Sequence, residues 1–274
     1  MLDVVVEQFN EDIKYALNHK KFLIDNLEII FAYYYFFYIS QLILKINRDY
    51  DENVGEIEEL FFLLDWESVS RNRKTVNSGY SFLKDRAKNS SAKVACLDQV
   101  NVLFGSEEFL LLGDVYDEYC SLDDQQKKEF IRYLKKWVED YEFVKGYDNY
   151  LPNDFKELVD ILFKDLNGEF GILPGIKDSR YPLNLEELCK RFFVKRRGRY
   201  GYVLNINREI LLTITALCVK DEKIMLNQLF KEYERRGLYF DSYSKIEIES
   251  FLTKLNLIDK KSDSGDAKYV KPVL

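Results

Sequence analysis

From Ile29 to Leu44 the chain reads IIFAYYYFFYISQLIL, sixteen residues without a charge. A segment this apolar leaves water in one of two ways: it crosses a bilayer, or it is packed on most faces inside a protein. A bilayer span needs roughly 20 apolar residues, and this run is shorter. It also carries the polar groups of Tyr33, Tyr34, Tyr35, Tyr38 and Gln41, with Asp25 and Glu28 just ahead of it. The run therefore reads as a buried helix of a bundle, in a cytoplasmic protein with no membrane partner. Only 4 Pro and 12 Gly occur in 274 residues, which favours long uninterrupted helices. Twenty Tyr and twenty Phe point to wide helix–helix contacts or a partner surface, because each buried tyrosine must place its hydroxyl.

Periodicity extends this reading to most of the chain. Val5, Phe9, Ile13 and Leu17 form an i+4 ladder that predicts a first helix with those residues facing inward. Ile57, Leu60, Phe61 and Leu64 continue the pattern after a break at Asp51–Gly55. Arg71–Ser91 is polar and weakly periodic, a helix with a loop around Asn89–Ser91. Leu122–Val144 is the clearest helix, with Ser121 as its N-cap and Phe130, Leu134, Trp137, Val138 and Tyr141 on one face. Another opens at Asn153, behind Pro152, with Phe155, Leu158, Val159, Leu162 and Phe163 apolar. Gly168, Gly171, Pro174, Gly175 and Pro182 then mark a linker. The expected organisation is an acidic helical body (1–167), a linker (168–182) and a basic module (183–274).

Charge divides along the same line. Residues 190–274 carry 18 Lys and Arg against 11 Asp and Glu, a net of +7; residues 1–189 carry 22 against 36, a net of −14. Such a reversal suits a polyanion partner for the basic end, or attraction between the two parts.

The basic end has the more specific order of elements. Asn184–Glu187 reads as a capped helix start. Phe193-Val194 and Tyr202–Leu204 flank Arg197–Gly201, a β-hairpin with a cationic tip. Ile210, Leu211, Ile214 and Leu217 predict a helix, Ile224–Leu226 a short strand, and Asn227 the cap of a second helix bearing Leu229, Phe230 and Tyr233. Gly237 ends that helix after two arginines. Ser244–Glu247 reads as a capping box opening a third helix with Ile248, Phe251, Leu252 and Leu255 inward. Leu257-Ile258 and Tyr269-Val270 bracket a second hairpin with its turn at Gly265. The expected fold is mainly α: a helical-bundle body followed by a winged-helix module with small β-hairpins.

Lys190, Arg191, Lys195, Arg196, Arg197 and Arg199 lie within ten residues, interleaved with Phe192, Phe193 and Tyr200. Such a cluster neutralises phosphates, or is simply a solvated face. The candidate nucleic-acid contacts are Lys195, Arg196, Arg197 and Arg199 on the first hairpin, Lys245 and Lys254 on the third helix, and Lys260, Lys261 and Lys268 on the wing. Base reading calls for Arg, Asn or Gln on the third helix. Its outward face instead mixes signs, with Glu247 and Glu249 near its start, so protein docking stands beside nucleic-acid contact.

Catalytic chemistry is not legible. There is no GxxxxGK[ST] loop, and His19 is the single histidine. The cysteines Cys96, Cys120, Cys189 and Cys218 are scattered, without a CxxC pair, and read as reduced, mostly buried thiols. No cofactor or metal site is expected. Asp154, Asp160, Asp165 and Asp178 read as background acids, and a metal-dependent carboxylate site is the one enzyme reading left.

The segment Arg235–Leu274, RRGLYFDSYSKIEIESFLTKLNLIDKKSDSGDAKYVKPVL, resembles the C-terminus of the DNA phosphorothioation-dependent restriction protein DptG family. Arg236-Gly237, Asp241, the Ser262–Ala267 element and Tyr269-Val270 carry the likeness. Family chains have further residues ahead of this part, so the chain is a fragment or a short member. The resemblance implies a non-catalytic accessory subunit of an anti-phage restriction complex, working with a DptF-like ATPase and a DptH-like helicase; the basic module is expected to contact double-stranded DNA without sequence preference. A winged-helix transcription regulator is the alternative.

Overall fold

The computed structural model describes residues 2–48, 50, 57–106, 108–146, 150–168, 181–260 and 268–274. The expected turn at Gly265, the Ser262–Ala267 element, Lys261 and residues 169–180 of the expected linker lie outside the described residues, as does the side chain of Lys260. The chain is mainly helical, with two small three-stranded sheets. It divides into two compact units, and neither is one continuous stretch. The first comprises Leu42–Glu56 and Lys84–Asn184; the second comprises Leu2–Gln41, Ile57–Leu83 and Leu185–Leu274. A single cut after a body at 1–167 does not describe this grouping, because residues 2–41 and 57–83 fold with the last segment.

In the first unit, α4 (Tyr80–Phe104), α5 (Leu112–Ser121), α6 (Asp124–Lys145) and α7 (Phe155–Asn167) share an apolar core that includes Val100, Leu134, Val138, Leu158 and Leu162, each 0% exposed. No loop interrupts α4 at Asn89–Ser91. Ser90 is buried there, donating to the Arg86 carbonyl and accepting from Asn47 Nδ2 at 3.0 Å, so polar residues satisfy one another inside a helix. Ser121 is not the cap of α6 but the end of α5. Asp123 caps α6, accepting from the Gln126 N–H while the Gln126 amide returns to the Asp123 N–H. Asp154 caps α7, one residue past the expected opening.

The second unit opens with α1 (Asp3–Asn18) and most of α2 (Lys20–Ile46), up to Gln41. By length and composition α2 could cross a membrane, and 67% of its most apolar window is buried. Burial excludes one stripe: Ile24, Leu27, Phe31, Tyr35 and Tyr38 are exposed. The i+4 ladder predicted on α1 is only partly its inner face: Val5 is buried, and Phe9 and Ile13 are half-buried. Leu17 is 55% exposed, while Val5, Gln8, Asp12, Tyr15 and Ala16 are buried. The helix is turned so that Asp12 reaches an arginine more than two hundred residues away.

Leu60–Leu64 is extended, not helical. Leu63-Leu64 (β1) pair in parallel with Asn205-Ile206 of β3 (Tyr202–Ile206), and β3 pairs antiparallel with β2 (Val194–Arg196), giving the order β1-β3-β2. A short apolar run fits a buried strand as well as a helix, and tertiary pairing decides between them. Around it Phe36, Phe62 and Phe193 are buried, with Phe36 and Phe193 ring centroids 4.6 Å apart. α3 (Lys74–Asn77) packs beside β3, and α8 (Tyr181–Phe192) leads into β2, starting ahead of the expected Asn184.

The remaining elements are α9 (Arg208–Val219), β4 (Ile224–Met225), α10 (Leu226–Arg235), α11 (Ser242–Lys254), β5 (Ile258–Lys260) and β6 (Lys268–Val270). This is the order helix, strand, helix, helix, hairpin read from the sequence, and the sheet runs β4-β6-β5, all antiparallel. The caps differ from expectation. α10 begins at Leu226, with Met225 at its N-cap, so Asn227 lies within the first turn. α11 begins at Ser242, capped by Asp241 accepting from the Ser244 N–H at 3.0 Å, and the Ser244 hydroxyl is turned inward. Gly237 ends α10 at φ +75°, and a Cβ there would meet the Phe37 ring at 2.4 Å. Position, as well as backbone, thus requires glycine.

Candidate nucleic-acid interface

Nine lysines and arginines were the sequence candidates, and the seven whose side chains are described do different work. Arg197 is half-buried: its guanidinium donates to the carbonyls of Leu64 and Asp65 and, at 2.8 Å, to Asn205 Oδ1. It ties the hairpin tip to the residues following β1, and little of it remains for a phosphate. Lys195 is ion-paired with Asp65, whose carboxyl is held below the usual carboxylate range mainly by that hydrogen bond. Lys245 bonds Glu234 at 3.0 Å and lies over the Phe230 ring. Lys268 bonds Glu249 at 2.6 Å.

Arg196, Arg199 and Lys254 are exposed. Arg199 lies against Tyr200, its guanidinium carbon 4.9 Å from the ring centroid, and donates to the Tyr200 hydroxyl. Gly198 and Gly201, at φ +52° and +68°, close the tip through a turn of 3₁₀ helix. Among the described residues of this hairpin, then, Arg196 and Arg199 are the exposed cations without an ion pair to a carboxylate, a smaller footprint than the six-cation run suggested.

The outward side of α11 is partly apolar. Tyr243 is 62% and Ile246 65% exposed, with Glu247 exposed beside them. Asn256, at the helix end, has φ +56°. An exposed isoleucine and an acid near the start of the helix suit a protein surface better than a DNA groove.

Two buried charge clusters, invisible to sequence reasoning, organise this unit. Arg236, 1% exposed, donates to both oxygens of Asp12 at 2.6 and 2.7 Å and to Glu232 at 2.9 Å. Tyr34 donates to Asp12, and Tyr33 to the Arg236 carbonyl. Arg73 bridges Asp241 at 2.6 Å, Glu67 at 3.1 Å and the Ser244 hydroxyl at 2.7 Å. Burial pushes the Glu67 carboxyl up despite these donors; at Asp241 burial also pushes upward, but the hydrogen bonds and charge of Arg73 together with the Ser244 and Lys74 N–H groups hold the carboxyl down. Arg236, Gly237 and Asp241, which carried the likeness to a family, are thus all bound into the packing of this unit.

Among the described residues, no group of three or more His, Cys, Asp or Glu side chains is placed to hold a metal ion. Cys96, Cys189 and Cys218 are buried thiols pushed up to about 12 by burial, while Cys120 is exposed. No protein-family model matches the chain, and no curated protein matches it in sequence.

Proposed function

We propose that the protein is a non-catalytic accessory subunit that assembles partner proteins on DNA. Its residues 208–274 form a winged-helix module, a reading supported by the element order and by the β4-β6-β5 sheet. The observation that carries the functional reading is the character of α11, which takes the recognition-helix position and turns Tyr243 and Ile246 outward. That favours protein docking over sequence reading, and so an assembly subunit over a transcription regulator. Arg196 and Arg199 supply nonspecific phosphate contact. The resemblance to DptG supplies the setting: phosphorothioate-linked restriction with DptF-like ATPase and DptH-like helicase partners, in the cytoplasm.

Coexpression with such partners tests the docking half. Ile246→Asp should leave the unfolding midpoint within a degree or two, its side chain being exposed, and abolish co-elution with the partner. Gel shifts with unmodified duplex at low salt test the other half. Arg196→Glu with Arg199→Glu should weaken binding and reduce its salt slope by about 2. Selection of a defined operator by a symmetric dimer would replace this reading with the transcription regulator.

A further inference from the structure

The first unit, within the acid-rich part of the chain, gathers five cations of one helix at a single cavity. On α6, Lys128, Arg132 and Lys136 are exposed on one helix face, while Lys127 and Lys135 are half-buried beside the apolar side that carries Phe130, Leu134 and Val138. The five cations line a cavity of about 760 Å³, a size suited to a small-molecule ligand. Among the described residues none of the five makes an ion pair with a carboxylate. Elsewhere in the same unit lysines do so, as in Lys164–Asp160 and Lys88–Asp85. Lys128, Arg132 and Lys136 instead follow one another at i, i+4 and i+8, a like-charge ladder that destabilises the helix bearing it.

The rest of the lining fits an anion. The Lys127 and Lys135 ammonium groups donate to the carbonyls of Cys120 and Leu151 at 2.9 and 2.8 Å, which fixes two charges at the cavity wall. Asn153 adds an amide and Tyr119 a phenol, and Glu139 is the one acid among the described lining residues. From Lys127 to Lys136 the helix rises about 13.5 Å, and the five cations are gathered on a concave site of that length.

We infer that this cavity binds a compact, multiply charged phosphate compound of the nucleoside polyphosphate type. Arg132 offers a planar fork for two phosphate oxygens, and the lysines act as adjustable point charges. The shared chemistry is clustered phosphates, which a free nucleotide or an inorganic polyphosphate would both supply. The inference concerns a different unit from the DNA and docking surfaces and does not depend on them.

The test uses the full chain with ATP, inorganic tripolyphosphate, AMP and sulfate at matched ionic strength, read by thermal shift and calorimetry. ATP or tripolyphosphate should raise the unfolding midpoint more than AMP or sulfate does, with affinity falling as salt is added. Binding by both would assign recognition to the phosphates alone; binding by ATP only would add a nucleoside contact. Lys128→Gln/Arg132→Gln/Lys136→Gln should weaken binding at least about tenfold. The same variant should be no less stable without ligand, because it removes like-charge repulsion, which separates lost binding from lost folding. The inference is overturned if sulfate matches the polyphosphates, if the triple variant binds as well as the parent, or if only duplex DNA binding is lost in that variant.

Discussion

At the scale of single residues, the fold of the second unit depends on charges taken fully out of water. Asp12 is 0% and Arg236 1% exposed, with Tyr34 and Glu232 completing the set. Removing one member of a buried pair strands the other, at a cost of about 3–5 kcal/mol. Asp12→Ala should lower stability by that amount in urea titration, whereas Asp12→Leu with Arg236→Met should recover roughly half or more of the loss. A different device sits in the first unit. Asp165 has both carboxyl oxygens sealed from solvent, and burial, then the charge of Glu142, raises its carboxyl from 3.8 to about 7. The folded protein therefore holds a proton between pH 4 and 7 that the unfolded chain has released. Asp165 favours the folded state below that range, and the contribution is lost as pH rises through about 7. Asp165→Asn should flatten the fall in unfolding midpoint between pH 4 and 7; an unchanged slope would assign it to other groups.

At the scale of elements, periodicity located helices well and their ends poorly. α6 and α7 were legible from their strong apolar faces, although their caps, Asp123 and Asp154, were not the ones read. α1 was legible as a helix but not in its orientation, since the buried face carries Gln8 and Asp12 and the apolar ladder points partly outward. Leu60–Leu64 was misread because continuous burial erases any period. The start of α11 shows why capping residues can do more than cap. Asp241 accepts the Ser244 N–H and also receives Arg73 at 2.6 and 3.0 Å. Asp241→Ala should cost about 3 kcal/mol, a cap of ~1 kcal/mol plus a weakened buried arginine. The exposed cap Asp123 of α6 should cost only about 1 kcal/mol when replaced by Ala. Equal losses at the two positions would show that the Arg73 bridge adds nothing.

At the scale of the whole molecule, the two compact units interleave along the chain. Residues 185–274 share their unit with α1, most of α2 and residues 57–83. Parallel pairing of β1 with β3, and the burial of Asp12 and Arg73, place early residues in the framework of the late ones. A fragment of 183–274 should therefore fail to unfold cooperatively and should bind a hydrophobic dye, while the full chain gives a single sharp transition for this unit. A fragment that folds and melts cooperatively would show that residues 208–274 need no such support.

The charge reversal was plain in the sequence, but its meaning was not. Arg191, Lys195, Lys220, Arg235 and Arg236 find Glu28, Asp65, Glu11 and Asp12, so much of the positive surplus is spent inside one unit. The cations left free on the hairpin tip, and those gathered on α6, emerge only once those partners are placed. Sequence alone determined the helical character, the order of the last six elements and the want of legible catalytic motifs, because propensity, periodicity and turn chemistry act over a few residues. Tertiary structure decided which faces turn inward, which charges are paired and which remain for a ligand, because those depend on contacts between residues up to 224 positions apart.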